Sequence, residues 1–151
     1  MKKENIEAIL PLLPMQQSFL WHSLQVDSSS SLLQLRCTLR GNISINQLQL
    51  AWARVVQKHQ ALRSSVHWES VKNPVQVVHK KVNSDITLIK CSSTPGNDEG
   101  LTQYLERDRN EKLDLTKAPA YRIALSQTDD NTCELIWSLS HVLLDGWSCA
   151  V

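Results

Sequence analysis

The sequence lacks a clear excess of either charge. Sixteen Lys and Arg stand against 15 Asp and Glu, which leaves a formal net charge of +1. Without a basic surplus there is no electrostatic reason to expect nucleic acid or anionic lipid as a partner. The chain also has no G-x-G-x-x-G or G-x-x-x-x-G-K pattern, the glycine-rich loops that hold phosphates. These absences give no support to nucleic-acid binding or to a nucleotide-binding fold.

Closely spaced cysteine pairs are missing as well. The four cysteines, Cys37, Cys91, Cys133 and Cys149, include no C-x-x-C pair. Zinc sites and disulfide frameworks are recognised by such close spacings, so the sequence predicts neither a metal site nor a disulfide frame. Widely spaced cysteines in a reducing compartment are typical of free thiols, and we expect these to be mostly buried.

The amino terminus lacks a long apolar run. Glu7, Pro11 and Pro14 interrupt the stretch that follows two lysines, so the apolar core of a signal peptide cannot form. We therefore expect a cytoplasmic protein that does not enter a membrane. Its 151 residues are enough for one well-buried domain.

Strand-like and helix-like patterns alternate along the chain. In LLQLRCTLRG, residues 32–41, apolar residues alternate with polar ones, as on a strand with one buried face. The next segment predicts a helix, because Ser44 can cap it and Ile45, Leu48, Trp52 and Val56 fall on one side. PMQQSFLWHSL, residues 14–24, and LTQYLERDRNEKL, residues 101–113, predict two further helices. A mixture of this kind indicates an α+β domain.

Two hairpins are predicted from strand patterns separated by turn-forming residues. SSVHWE, residues 64–69, and VKNPVQVVHKKV, residues 71–82, are separated by a turn at 72–74. AYRIAL, residues 120–125, and CELIWSLS, residues 133–140, are joined by the turn-rich segment SQTDDNT. A shorter strand is predicted in DITLIKCSS, residues 85–93.

The segment SLSHVLLDGWS, residues 138–148, carries the clearest chemical signal. The apolar alternation of CELIWSLS, if continued, puts His141 on the same face as Leu139. A neutral imidazole, with an ordinary pKa of about 6.5, suits general-base work on an amine, hydroxyl or thiol. Asp145 can shape the local backbone or pair with a cation, and Gly146 permits a positive φ or the close approach of a ligand.

Other interpretations of these residues remain open. A single histidine near a sheet edge also fits a packed or solvated side chain. A Ser-His-Asp triad built on Ser140 or Ser148 has less support, because no G-x-S-x-G nucleophile elbow is present. Several residues are interpreted as packing or surface positions without a functional role: Met15, Phe19, Trp21 and Trp52 as core residues at helical spacing, His59 and His67 as packed or surface histidines, and Arg122 as structural.

Four stretches, in order, resemble the amino-terminal half of the condensation domains of nonribosomal peptide synthetases, a branch of the chloramphenicol acetyltransferase-like superfamily. LLPMQQSFLWHSL is similar to the opening motif of that family, LSPMQQGMLFHSL, and KHQALRSSVHWE is similar to its RHExLRTxF motif. KLDLTKAPAYRIAL resembles the FDLxxxPLxR segment, and SLSHVLLDGWS resembles HHxxxDGWS. The resemblance covers residues 6–151.

The resemblance implies roles for individual residues. His141 takes the place of the catalytic histidine, and Gly146 that of the glycine whose backbone lies beside the reacting groups. Asp145 takes the place of the structural aspartate that pairs with the arginine of the second motif, here Arg63. Ser140 departs from the family, which usually has a histidine there. By alternation Ser140 faces away from His141, so a packing or hydrogen-bonding role is expected for it.

The resemblance also implies a fold and an activity. It indicates the amino-terminal lobe of an α/β sandwich, with helices packed on a mixed, mostly antiparallel sheet, over residues 1–151, and with the carboxy-terminal lobe absent. The implied reaction is amide formation between acyl or aminoacyl thioesters held on the 4′-phosphopantetheine of carrier proteins. The implied partners are donor and acceptor carrier domains, the second lobe and an adjacent adenylation domain.

Three alternatives for function follow from the same resemblance. The first is amide formation, and the second is an ester-forming or fatty-acyl-loading variant. The third is a catalytically silent interaction module, for which Ser140 is the main argument. In each case we expect the chain alone to be inactive, because half of a two-lobed tunnel cannot position two substrates. No cofactor is expected to bind the domain itself.

Overall fold

The structure is a computed structural model that describes residues 3–25, 32–89, 99–129 and 131–150. Within these ranges the strands form a four-stranded sheet and a three-stranded sheet. In chain order the strands are β1 (Ile6–Pro11), β2 (Leu32–Arg40), β3 (Ser64–His67), β4 (Val75–His79), β5 (Thr87–Ile89), β6 (Tyr121–Asp129) and β7 (Thr132–Ser140).

The larger sheet has the order β2-β7-β6-β5. β7 pairs antiparallel with both β2 and β6, whereas β5 pairs parallel with β6. The β6–β7 hairpin confirms the one predicted from AYRIAL and CELIWSLS, and the alternating segment 32–41 is confirmed as β2. The predicted α+β class is therefore confirmed, with a mixed and mostly antiparallel sheet.

The smaller sheet has the order β1-β4-β3, with both pairs antiparallel. β3 and β4 form the predicted hairpin. β1 is a strand that the sequence patterns do not predict, since they indicate only a short lead-in before the first helix. It is an edge strand whose residues are mostly exposed, so its sequence carries little of the alternation that marks a half-buried strand.

Three α-helices lie within the described residues: α1 (Pro14–Gln25), α2 (Ile45–Lys58) and α3 (Glu99–Asn110). Shorter 3-10 helices cover Lys3–Asn5, Gln60–Arg63 and Ser148–Ala150. α2 begins as predicted, with the Ser44 side chain accepting a hydrogen bond from the Gln47 backbone N–H at 3.4 Å. No helix in the described ranges is long and apolar enough to cross a bilayer.

The larger sheet is covered on both faces. On one face, residues of α2 that include Trp52 and Val56 pack against Tyr121, Ile123 and Leu139. On the other face, Leu101 of α3 is buried with residues of β6 and β7. A third cluster joins α1 to the small sheet and to the segments around 115 and 142; its buried members are Leu12, Leu20, Val66, Leu115, Ala120 and Val142.

Two packing predictions are wrong. Met15 and Trp21 were expected in the core, but they are 64% and 49% exposed, because α1 buries only Leu20 fully. Cys37 was expected to be buried and is exposed, whereas Cys133 is buried and Cys149 is partly buried. Cys91 lies outside the described residues. Trp52, also expected in the core, does pack against the main cluster.

Candidate functional site

The turn that carries His141 begins where β7 ends, at Ser140. The Ser140 carbonyl accepts hydrogen bonds from the backbone N–H groups of Leu143 at 3.0 Å and Leu144 at 3.4 Å. Its side-chain Oγ accepts one from the Val142 N–H at 3.2 Å, and the residue is only 3% exposed. Ser140 therefore bonds to the backbone N–H groups of the three residues that follow His141 and holds them in a tight turn.

His141 lies beyond the end of β7, whereas the sequence placed it on the strand, on the face of Leu139. Because the strand ends one residue earlier, the alternation that puts Leu135, Trp137 and Leu139 against the α2 cluster stops at Leu139. The imidazole instead stacks on Phe19 of α1, with ring centroids 4.9 Å apart and an interplanar angle of 14°. The residue is half-buried.

The two nitrogens of the His141 ring differ in their surroundings. Nδ1 is buried and has no hydrogen-bond partner in the part of the chain that is described. Burying a polar atom without a partner is costly, so this nitrogen is a natural point for an additional donor or acceptor. The second ring nitrogen, Nε2, is then the atom through which the imidazole can contact a reactant.

Asp145 caps the short helix that follows the turn. Its carboxylate accepts hydrogen bonds from the Ser148 backbone N–H at 2.8 Å and from the Ser148 hydroxyl at 2.6 Å. These bonds are the main reason that the pKa of the Asp145 carboxyl lies below its usual value, because they favour the charged form. Asp145 thus shapes the segment after His141 through local bonds.

Arg63 has partners other than Asp145. Its guanidinium is 5% exposed and pairs with Glu7 of β1 at 2.6 Å. It also donates to the backbone carbonyls of Val56, at 3.1 Å, and His79. The hydrogen bond from Arg63 is the main reason that the pKa of Glu7 is lowered.

The expected ion pair between Arg63 and Asp145 is therefore wrong for this structure. The physical reason lies in the neighbours of each group: two carbonyls and the Glu7 carboxylate hold the guanidinium beneath β1 and β4. The Asp145 carboxylate is engaged by Ser148. Sequence reasoning missed Glu7 as the partner because it missed β1.

A double-mutant cycle tests this assignment. We expect Arg63→Ala to lower the free energy of unfolding by about 3 kcal/mol, because it leaves two buried carbonyls without a donor. Urea unfolding of the single and double variants should show coupling between Arg63 and Glu7 and none between Arg63 and Asp145. Coupling confined to the Arg63 and Asp145 pair would mean that the pair predicted from the sequence forms in solution.

In the described structure, the backbone conformation at position 146 does not require a glycine. Among the described glycines only Gly41 has a positive φ, and a Cβ added at Gly146 would meet no atom within 4 Å. Of the two possibilities raised by the sequence, a positive φ or the close approach of a ligand, Gly146 does not adopt the first. The space beside it is open, which leaves room for a neighbouring group to approach the backbone.

Two cavities are lined in part by residues of the turn or its flanks. One, of about 310 Å³, is lined by Ser140 together with Trp68, Leu115 and residues of α1. The other, of about 940 Å³, is lined by Arg63, Trp52, Leu144 and Ser148 among others. His141 itself borders neither of these two. No group of three or more His, Cys, Asp or Glu side chains in the described ranges could hold a metal ion.

Sequence reasoning missed two residues of α1 that meet the turn. Phe19 was interpreted as a core residue, and Gln16 was not singled out. The Gln16 side-chain Nε2 donates to the Val142 carbonyl at 3.0 Å and to Gln76 Oε1 at 3.0 Å. The hydrophobic pattern of α1 does not indicate this contact, although Gln16 lies in the motif LLPMQQSFLWHSL that resembles the family's opening motif. Phe19, the single phenylalanine of the chain, lies in the same motif.

The family model described as Condensation domain matches residues 6–151. This chain therefore belongs to the condensation-domain family. A linear gramicidin synthase from Brevibacillus parabrevis is 37% identical over 150 residues, which cover 97% of this chain and 3% of that protein. Tyrocidine synthase 2 of the same organism is 30% identical over 152 residues, which cover 99% of this chain and 4% of the relative. The chain thus spans a small part of these relatives.

Solved structures share the fold. A mutant starter condensation domain of rhizomide synthetase matches with a TM-score of 0.80 and 16% identity, over 95% of this chain and 35% of that one. A four-domain nonribosomal peptide synthetase bound to AMP and glycine matches with a TM-score of 0.78 and 20% identity, over 95% of this chain and 11% of that one. These matches agree with the predicted α+β class, with helices packed on a mixed sheet.

Proposed function

We propose that residues 1–151 act as the first lobe of a condensation domain that forms an amide bond between two carrier-bound thioesters. The observation that supports this most directly is the family match over residues 6–151, which includes the segment of His141. In the structure, the histidine of that segment is half-buried at the end of a central strand, with one ring face against Phe19.

In the proposed reaction the amine nitrogen of the acceptor attacks the thioester carbonyl carbon of the donor. A C–N bond forms, the C–S bond breaks, and the donor thiol leaves on its carrier. His141 serves through Nε2 as base or hydrogen-bond partner for the attacking amine, whose proton is finally taken up by the thiolate or by solvent. Ser140 and Asp145 hold the turn, and the backbone at Gly146 lies beside the reacting groups.

The proposal includes the partners that bring the two substrates. Both acyl groups arrive on 4′-phosphopantetheine arms of donor and acceptor carrier domains, so the lobe itself binds no cofactor. A second lobe completes the tunnel, and an adenylation domain supplies the activated amino acid. The isolated chain should form no product, because the rate of such a reaction depends on holding both reactants in place.

A chimera tests the proposal. In the condensation domain of the linear gramicidin synthase that matches, the matching segment is replaced by this chain, and amide formation is measured between preloaded carriers. We expect product from the folded chimera and none from this chain alone. A chimera that melts cooperatively and binds loaded carriers, but forms no product, would contradict amide formation.

A silent interaction module is the second candidate, and Ser140 is the observation that favours it. The family usually has a histidine at this position, and here a buried serine completes the turn. The two candidates differ in the chimera: a silent lobe retains carrier binding and yields no product, even after Ser140→His. An ester-forming variant would instead yield product with a hydroxyl acceptor and none with an amine.

A further inference from the structure

We propose that α1 is the positioning element for His141, and that it acts through Phe19 and Gln16. The proposal rests on the proposed role of His141 as the group that meets the acceptor. In this proposal, one residue of α1 orients the His141 ring and another fixes the backbone next to it.

Phe19 fixes the plane of the imidazole. The two rings are nearly parallel, with an angle of 14° and centroids 4.9 Å apart, which lies within the range of offset aromatic stacks. A histidine side chain can adopt several orientations by rotation about two bonds. A second ring packed against one face of the imidazole excludes most of these orientations. The stack also keeps water from that face. Phe19 is itself half-buried against the cluster that contains Leu20 and Val142.

Gln16 fixes the backbone next to the histidine. Its Oε1 accepts a hydrogen bond from the Leu13 N–H at 3.0 Å, and its Nε2 donates to the Val142 carbonyl and to Gln76 Oε1, both at 3.0 Å. Gln76 in turn donates to the Ser64 hydroxyl at 2.8 Å. One amide therefore joins the start of α1, the small sheet and the residue directly after His141.

The two contacts restrain different degrees of freedom. Gln16 and Ser140 hold the turn from opposite sides, because they bond to the carbonyl and the N–H of the same residue, Val142. Phe19 then sets the direction of the ring on that fixed backbone. Catalytic groups need this support, since a small displacement of a reacting group costs much of the rate. Loss of either contact should thus misplace Nε2 while the fold persists.

Nuclear magnetic resonance of this chain alone tests the geometry without any turnover. A ring stacked on the imidazole shifts the His141 Hδ2 and Hε1 resonances upfield. We expect Phe19→Leu to abolish that shift and Phe19→Tyr to keep it. Trp21→Leu, which removes an exposed ring from the same helix, is the matched control and should leave the His141 resonances in place. Unchanged His141 resonances in a folded Phe19→Leu variant would overturn the stack.

Kinetics of the chimera test the positioning role. We expect Phe19→Leu and Gln16→Ala each to lower kcat about tenfold with KM for the loaded carriers unchanged, and Phe19→Tyr to restore kcat. A purely structural role would lower the amount of folded protein and would leave kcat per folded molecule unchanged, which would overturn the proposal. If the parent chimera forms no product, the proposed function fails, and the resonance test still decides whether α1 orients the ring.

Discussion

Replacing His141 with alanine should lower amide formation by the chimera about 100-fold or more. General acid–base catalysis by a positioned side chain typically contributes about 10² to 10⁴ in rate, and the proposed function assigns this role to the His141 imidazole. The substitution removes a half-buried ring and no ion pair, so the fold should survive. The measurement is the initial rate of product release from preloaded carriers.

The control for this variant is His67→Ala, since His67 lies at the end of β3 and lines neither of the two cavities beside the turn. We expect it to keep a rate close to that of the parent chimera. A His141→Ala chimera that retains at least a tenth of the parent rate would contradict a role for the imidazole in proton transfer. The backbone and bound substrates would then account for the rate.

Replacing Asp108 with alanine should cause a large loss of stability. This carboxylate of α3 is 2% exposed and accepts hydrogen bonds from Arg122 Nε at 2.6 Å, from Gln34 Nε2 at 2.7 Å and from the Ser138 hydroxyl. It therefore ties α3 to three neighbouring strands of the larger sheet. Its removal leaves the buried Ser138 hydroxyl and the Arg122 guanidinium, which is 24% exposed, without this acceptor, at a cost of about 2–3 kcal/mol.

Urea unfolding of the chain measures the effect of Asp108→Ala on the free energy of unfolding. Glu106→Ala, at an exposed position on the same helix, is the matched control and should change stability by about 0.5 kcal/mol or less. Asp108→Asn should fall between the two, because an amide retains an acceptor and loses the charge. A cost for Asp108→Ala no larger than that of the control would show that the bonds to Arg122, Gln34 and Ser138 contribute no net stability.

Helices and strands with a regular hydrophobic period were predictable from the sequence. Which of their residues are buried by a neighbouring element was not. The alternation in residues 32–41 correctly predicted β2, with Leu33, Leu35 and Leu39 packed against the α2 cluster. It also placed Cys37 on that face, but Cys37 is exposed. Period tells which side of a strand a residue occupies, whereas burial depends on how far the neighbouring helix extends. Met15 and Trp21 on α1 are exposed for the same reason: their helical spacing does not show whether another element covers them.

The candidate site was predictable as a segment and not as a set of contacts. The motif resemblance led to His141, Ser140 and Asp145, which the structure brings together in one turn. The partner of Arg63 was assigned from the family pattern and proved to be Glu7. Such pairs join segments far apart in sequence, here 56 residues. They depend on β1, an edge strand that forms through pairing with β4 rather than through its own pattern.

The central position of β7 affects the order in which parts of the molecule unfold locally. β7 lies between β2 and β6, and α2 and α3 pack on its two faces. Amide hydrogens in such a strand exchange with solvent only when the whole domain unfolds, whereas edge strands and helix ends fluctuate at a smaller free-energy cost. We therefore expect the turn of His141 to extend from the slowest-exchanging part of the described chain. We expect α1, which buries only Leu20 fully, to unfold locally at a smaller free-energy cost.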